Sequence, residues 1–497
     1  LPFATNDLVA RAPIMRNPTK ADINHSWKPA STAENSQHCY STCLRVGGIA
    51  DGDERLEHVN IAPAQLKRRV GLTGVVMFGA GTAIGVSIFS VLAPAAKAAG
   101  SGLLIAVGIA ALPMILFAIL YSFLSSALPK SGASYEWPRR FVHPAVGFLI
   151  AWLRILSNVG AIVVLAMVLV NYLSAVVSLP LKPAMAAIIT LVFALNFLGV
   201  AVAARVQTLL MLVLLAALAV FVWYGAPHVS VAVIGPLTAR GWAAIATAVP
   251  LMISLFLGIE SAAEIGEEVT QPERTIPRGI ALAILLTSVV YIAISATALG
   301  LIGPARLAAS KAPLLDAAKL SMGALAAPVI LTAAVVSILK TLNATTLVFS
   351  RAIFAMGRSG ALPTFFGRIH PRFGTPHVAL AACYTAALLG LFMPSSLTFL
   401  LLAVNIPTML KYMSSSLSAV NIARHHPEIY ENAAFRPARG TVIVLGVLGI
   451  LAGTAILIAG LGADLRPYEL IGAWALVGLL YWVIDARRRE HASVSSQ

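Results

Sequence analysis

From Val70 to Asp485 the sequence repeats one unit, an apolar run about as long as a bilayer is thick followed by a short polar loop. A helix needs about 20 apolar residues to cross the hydrocarbon. No water serves the backbone there, so a span must bond its own N–H and C=O groups, which a helix does. The runs predict helices over residues 70–95, 102–128, 143–178, 183–202, 206–226, 242–266, 279–302, 322–356, 377–393, 396–420, 441–461 and 468–485, twelve in all. The third and eighth exceed the bilayer thickness and are expected to tilt or project from it. Composition agrees. The chain is 59% hydrophobic and 11% charged, against about 25% charged in a soluble domain. It reads as an all-α integral membrane protein whose surroundings are the lipid bilayer.

The formal charge of +15 does not indicate a nucleic-acid partner, because the basic residues sit in short loops between apolar runs, where they set orientation. Nineteen Lys and Arg fall on one side, Arg139, Arg140, Arg205, Arg351 and Arg358 among them. Seven fall on the other: Lys97, Lys182, Arg240, Arg306, Lys311, Lys319 and Arg466. The bias puts both termini in the cytoplasm, which needs an even number of spans. Residues 1–66 are polar, mixed in charge and without period, and are expected to form a disordered tail. The natural start is expected between about Met15 and Val59, part of the tail then being a gene-start artefact. The membrane domain is expected over 67–486, with a cytoplasmic tail over 487–497. Three cysteines give no disulfide framework. His38 with Cys39 and Cys43, and the His pair in Arg424-His-His-Pro-Glu428, fall short of a four-ligand zinc site.

Two runs are interrupted. The first contains Gly79, Gly81 and Gly85, each costing about 1 kcal/mol in a helix relative to alanine. Such glycines also serve close helix packing in membranes. The sixth contains Gly258 and then Glu260 and Glu264. A carboxylate at that depth costs about 2.5–3.5 kcal/mol on insertion scales and marks a pathway or coupling site. Paired interruptions five spans apart point to inverted repeats, spans 1–5 and 6–10, with a binding site at the midplane. The half-helix after the first break presents free N–H groups at Gly85, Val86, Ser87 and Ile88, which suit a carboxylate. The half-helix before the second presents free carbonyls at Ser254, Leu255 and Leu257, which suit an ammonium. If the breaks face each other, the two ends together describe an α-amino acid.

Arg154, Lys340 and Lys411 lie inside spans. Arg154 and Lys411 are expected to snorkel to an interface. Lys340, mid-span, is expected to pair with Glu260 or Glu264 in one conformation and to take the place of a bound cation. The run Glu267–Arg278 reads as a loop whose acids pair with Arg139, Arg351 or Arg358. Exposed pairs of that kind are worth about 0–1 kcal/mol, which suits a gate.

The stretches Gly81-Thr-Ala-Ile-Gly85-Val-Ser-Ile-Phe89, Phe256-Leu-Gly-Ile-Glu260, Glu267-Glu-Val-Thr-Gln-Pro-Glu-Arg-Thr-Ile-Pro-Arg278 and Asn343…Ser350-Arg351…Arg358-Ser-Gly-Ala-Leu-Pro363 resemble the amino acid–polyamine–organocation (APC) permeases. The resemblance covers about 70–486 in the family's order. It implies an inverted five-plus-five-helix fold (LeuT-like) with helices 1 and 6 broken and two helices appended, alternating access, and secondary active transport of amino acids or related amines. It implies no cofactor beyond a coupling ion, H+ or Na+. By resemblance Gly85, Val86 and Ser87 are the carboxylate site, and Ser254, Leu255 and Leu257 the ammonium site. Glu260 is the acidic position of proton coupling, and Asn158 and Asn343 line the cavity. Three positions depart from the family. Ser87 replaces a glycine. Ser254 replaces an aromatic gate, leaving Phe256 as the candidate. Leu214 stands where proton-coupled members place a lysine, so sodium coupling stays open. A polyamine permease, or an amino-acid sensor without flux, fits the same residues. Oligomeric state is not legible. The spans hold neither a symmetric channel filter nor a nucleophile–base pair of the kind an enzyme would need.

Overall fold

Apolar runs that must satisfy their own backbone in lipid fold here as helices. The computed structural model describes residues 66–494 apart from Val86, 174–177, Ser254, Lys311, 393–396 and 462–464. The expected tail, with His38, Cys39 and Cys43, lies outside the described residues, as do two of the expected site residues, Val86 and Ser254. Among the described residues the β pairing is two isolated bridges, Val70 with Val269 and Ser131 with Ile265.

In chain order the helices are α1 (Leu72–Ala83), α2 (Ser87–Ala99), α3 (Leu103–Ala127), α4 (Ala133–Phe141), α5 (Pro144–Leu173), α6 (Leu181–Phe197), α7 (Val200–Gly225), α8 (Val231–Ile234) and α9 (Gly241–Ile253). They continue with α10 (Pro272–Ala309), α11 (Pro313–Met322), α12 (Ala326–Arg358), α13 (His377–Gly390), α14 (Leu397–His425), α15 (Pro427–Asn432), α16 (Arg439–Leu461) and α17 (Arg466–Val494). Each expected run holds a helix. Among the described residues eight segments are long and apolar enough to cross a membrane, and α6, α9 and α13 are shorter apolar helices. Several bounds differ from expectation, α10 for instance starting at Pro272 and running to Ala309 against 279–302. The sixth run leaves the α-helix at Ile253 and continues as tight 3-10 turns over Ile259–Glu264 and Gly266–Glu268. The last helix runs on to Val494, past the expected domain end at 486.

Two apolar cores result. One is built mainly from α1, α2, α3, α7, α9 and α10 with parts of α11, α12 and α14, the other from α5, α6, α12 and α13, and a small cluster joins α5, α14 and α17. On the outside, Leu448, Leu451, Leu476, Leu480 and Val483 of α16 and α17 are exposed, as residues facing lipid are. Helix α17 docks on α5 through Trp152 and Trp474. Their rings stack at 4.7 Å and 13°, and each indole N–H donates to the other's backbone carbonyl, at 3.0 and 2.9 Å.

At one end of the bundle the strip 264–270 is stitched to its neighbours. The Arg69 and Val70 amides donate to the Glu268 carbonyl at 2.8 and 3.0 Å, Thr270 donates to Val70 at 2.9 Å, and Gly132 donates to the Glu264 carbonyl at 2.9 Å. Arg358 holds Glu267 with two bonds of 2.7 and 2.8 Å, and Lys130 adds a contact at 3.4 Å. Arg351 holds Glu268 in a two-pronged pair at 2.7 and 3.0 Å. Both of those side chains are fully buried, so this pair is not the weak exposed kind the sequence suggested. Arg139 turns instead to Glu136, at 3.0 Å. Removing one member of a buried pair strands the other charge. Arg351→Met or Glu268→Gln alone is therefore expected to cost about 3–5 kcal/mol. The loss is read as earlier thermal unfolding of detergent-purified protein, and the double neutral variant should recover most of it. Unchanged melting of either single variant would contradict this.

Candidate functional site

The first interruption falls between α1 and α2. Helix α1 ends at Ala83 because Ile84 leaves helical geometry (ψ 69°), and Gly85 continues the irregular stretch. The carbonyls freed there are not left bare. The Lys340 ammonium, fully buried on α12, donates to the Gly81 and Ile84 carbonyls, and the Ser337 hydroxyl donates to Ile84 at 3.0 Å.

The second interruption follows α9. Gly258 takes a left-handed conformation (φ +100°) that L side chains rarely adopt. The two breaks meet. A Cβ on Gly79 would lie 2.7 Å from the Ile259 carbonyl oxygen, and one on Gly258 would lie 2.6 Å from the Thr82 methyl. Glycine is what lets the backbones approach this closely. Tyr291 of α10 joins them, its hydroxyl 2.8 Å from the Ala83 carbonyl and 2.8 Å from the Leu255 carbonyl. A phenol has one proton, so it donates to one of them at a time. The Ser87 hydroxyl bonds this same Tyr291 hydroxyl, which gives the serine a structural partner where the family has glycine. Phe256 is fully buried with its ring edge-on to Tyr291, at 5.6 Å. Leu255 and Ile88 are also fully buried.

The buried charges pair differently from the sequence reading. Lys411 of α14 bonds Glu260 at 2.5 Å and lies over the Tyr412 ring, 4.4 Å from its centroid. Arg154 of α5 bonds Glu264 at 3.0 Å, and the Ser134 hydroxyl donates to the same carboxylate. Neither Arg154 nor Lys411 snorkels, since a carboxylate at the same depth is a closer partner than a distant interface. Lys340 pairs with neither Glu260 nor Glu264. The carbonyl ends exposed by the break take its protons instead.

A cavity of about 200 Å³ opens beside the meeting point. Its walls include Thr82 of α1, Asn158 of α5, Leu257, Gly258, Glu260 and Ser261 of the second break, Thr341 and Thr345 of α12, and Asn405 and Lys411 of α14. Of the expected site residues, Asn158, Leu257 and Glu260 line it. Asn343 does not. It is buried in a polar network, donating to the Ala203 carbonyl and Gln207 at 3.1 Å each and accepting from Asn196 at 2.9 Å. Thr341, Thr345 and Tyr291 were not singled out from sequence. Hydroxyls recurring on spans 7 and 8 were the available signal, but a Thr or Tyr in a span is common enough to pass unnoticed.

The amino acid permease family model matches residues 74–468. An uncharacterized transporter of Mycobacterium tuberculosis is 34% identical over 63% of this chain and 71% of its own length. A branched-chain amino acid permease of Bacillus subtilis is 26% identical over 85% of this chain and 94% of its own. A methylthioribose transporter of the same organism is likewise 26% identical, again over 85% and 94%. With its bundle of apolar helices and a match over most of its length, the chain is a multi-pass membrane protein that belongs to the amino acid permease family.

Proposed function

We propose that this protein is a secondary active transporter that carries amino acids across the cytoplasmic membrane by alternating access. It does so as a twelve-span permease with both termini in the cytoplasm and spans 1–5 and 6–10 as inverted repeats. The observation that carries the reading is the meeting of two broken helices at a cavity that mixes polar and apolar walls. At one break the start of α2, with the amides of Gly85, Val86, Ser87 and Ile88, suits an α-carboxylate. At the other, the carbonyls of Ser254, Leu255 and Leu257 suit an α-ammonium. The grouping of α1–α3 with α9–α10 in one core, and of α5–α6 with α12–α13 in the other, supports the repeat, since corresponding spans of the two halves share a core. Phe256 and Tyr291 form the packed wall behind the breaks and gate the site from that side.

In this reading the coupling ion is the proton. The Lys340 ammonium occupies the carbonyl oxygens that a bound sodium ion would need, and Glu260 and Glu264 complete the set of coupled charges. Deprotonating Lys340 would free two carbonyls on span 1 and alter the hold of α12 on the break, so protonation and the conformation of the break are linked.

Purified protein in proteoliposomes should take up one class of labelled amino acid saturably, faster with an inward proton gradient and unaffected by sodium. Polyamine uptake without amino acid uptake would replace this reading by an organic-amine permease. Absence of both from folded protein that still binds amino acid would make it a sensor. Lys340→Met should abolish the stimulation by the proton gradient. A variant with unchanged uptake and an unchanged pH profile would remove Lys340 from coupling.

A further inference from the structure

The names of the relatives diverge between branched-chain amino acids and methylthioribose, so similarity leaves the substrate's side chain open. The cavity is informative on this point, and the inference rests on the transport reading above. If the two breaks hold the α-carboxylate and α-ammonium, the space beside Thr82 and Gly258 receives the rest of the substrate.

Besides the Tyr412 hydroxyl, two atoms on its walls lack hydrogen-bond partners among the described residues: Nδ2 of Asn158 and Oε2 of Glu260. Both side chains are more than nine-tenths buried, at 7% and 3% exposure, and both residues line the cavity. One is a donor and the other an acceptor when ionised. Thr341, Thr345 and Ser261 add hydroxyls to the same walls. Ala161, Leu257, Ala344, Val348 and Val404 also line the cavity, but an aliphatic side chain seated against them would leave that donor and acceptor bare, which costs heavily.

Charge narrows the class further. Lys411 already neutralises Glu260, and Glu264 neutralises Arg154. A cationic or anionic side chain would enter a neutral pocket and leave its own charge unpaired. Space narrows it again, about 200 Å³ against roughly 300–1,000 Å³ for drug-sized ligand pockets.

We infer that the substrates are amino acids with a small, uncharged, hydrogen-bonding side chain, a carboxamide or hydroxyl, and that Asn158 sets this preference. A carboxamide fits both groups at once, its oxygen accepting from Asn158 and its NH2 donating to Glu260.

The test is competition of uptake in proteoliposomes by serine, threonine, asparagine and glutamine, against valine, leucine and isoleucine, and against lysine and glutamate. Substrate-induced thermal stabilisation in detergent gives a binding readout independent of flux. The polar neutral group should compete at least about tenfold better than the others, a tenfold step being about 1.4 kcal/mol. Asn158→Leu should shift the ratio toward leucine by at least the same factor, and Asn158→Ser, smaller and still polar, should keep the polar preference if the leucine variant fails to fold. Preference of the unaltered protein for branched aliphatic side chains, or selectivity unmoved by either Asn158 variant, overturns the inference while transport stands. Failure to move or bind any amino acid overturns the transport reading itself, and this inference with it.

Discussion

A peptide carbonyl freed inside a membrane has no water to turn to, and leaving it unpaired costs several kcal/mol. That constraint organises the centre of this molecule. Breaking two helices at depth releases carbonyls at Gly81, Ala83, Ile84 and Leu255; Lys340 and Ser337 on α12 serve Gly81 and Ile84, and the one Tyr291 proton on α10 is shared between Ala83 and Leu255. The polar side chains of spans 7 and 8 are therefore where the breaks require them. The same constraint explains why the breaks sit together. One tyrosine hydroxyl serves both only if the backbones approach to van der Waals contact, and glycine at 79 and 258 permits that approach.

The buried charges act on a larger scale. Glu260, Glu264 and Glu268 lie within nine residues of one another in sequence, yet they bond to three different elements: Lys411 on α14, Arg154 on α5 and Arg351 on α12. The segment after the second break is thus held at three points by charge-assisted bonds in a low-dielectric surrounding, where such bonds are strong when made and costly when broken. A short stretch that cannot be α-helix, because Gly258 turns it and Pro272 restarts the next helix, is fixed by long-range pairs instead of by its own ladder. Any movement of this segment relative to α5, α12 or α14 must exchange those partners.

Much of this was legible in the sequence. The period of apolar runs located the helices, and the glycines with the carboxylates located both breaks, because each violates what a membrane helix tolerates. The loop arginines Arg351 and Arg358 were expected against the acids of the run Glu267–Arg278 and pair with Glu268 and Glu267, but the pairing of Arg154 and Lys411 was not legible. Arg154 and Glu264 are 110 residues apart, and Lys411 and Glu260 are 151 apart. Nothing local distinguishes Lys340, which bonds backbone, from the two cations that bond carboxylates. Asn343 misled for a related reason. A polar residue in a span signals a polar surrounding, but its partners Asn196 and Gln207 lie on α6 and α7, and only packing reveals that they close the network before it reaches the cavity. The sequence marked the break at Gly258 but not the end of α-helix at Ile253, because Leu255, Phe256 and Leu257 read as more of the same helix.

Lys340 is the remaining point of electrostatics. Four cations are buried among the described spans, Arg154, Lys340, Arg351 and Lys411. Three bond carboxylates, whereas Lys340 bonds the carbonyl end of α1. A helix C-terminus carries roughly half a negative charge and an N-terminus roughly half a positive one. Where α1 stops and α2 starts, these opposite ends lie within a few residues, and their fields would largely cancel at any ligand placed between them. An ammonium bound to the α1 end removes the negative half of that cancellation. What is left facing the break is the positive start of α2, so a lysine on a neighbouring helix turns an electrically indifferent gap into one that favours an anion.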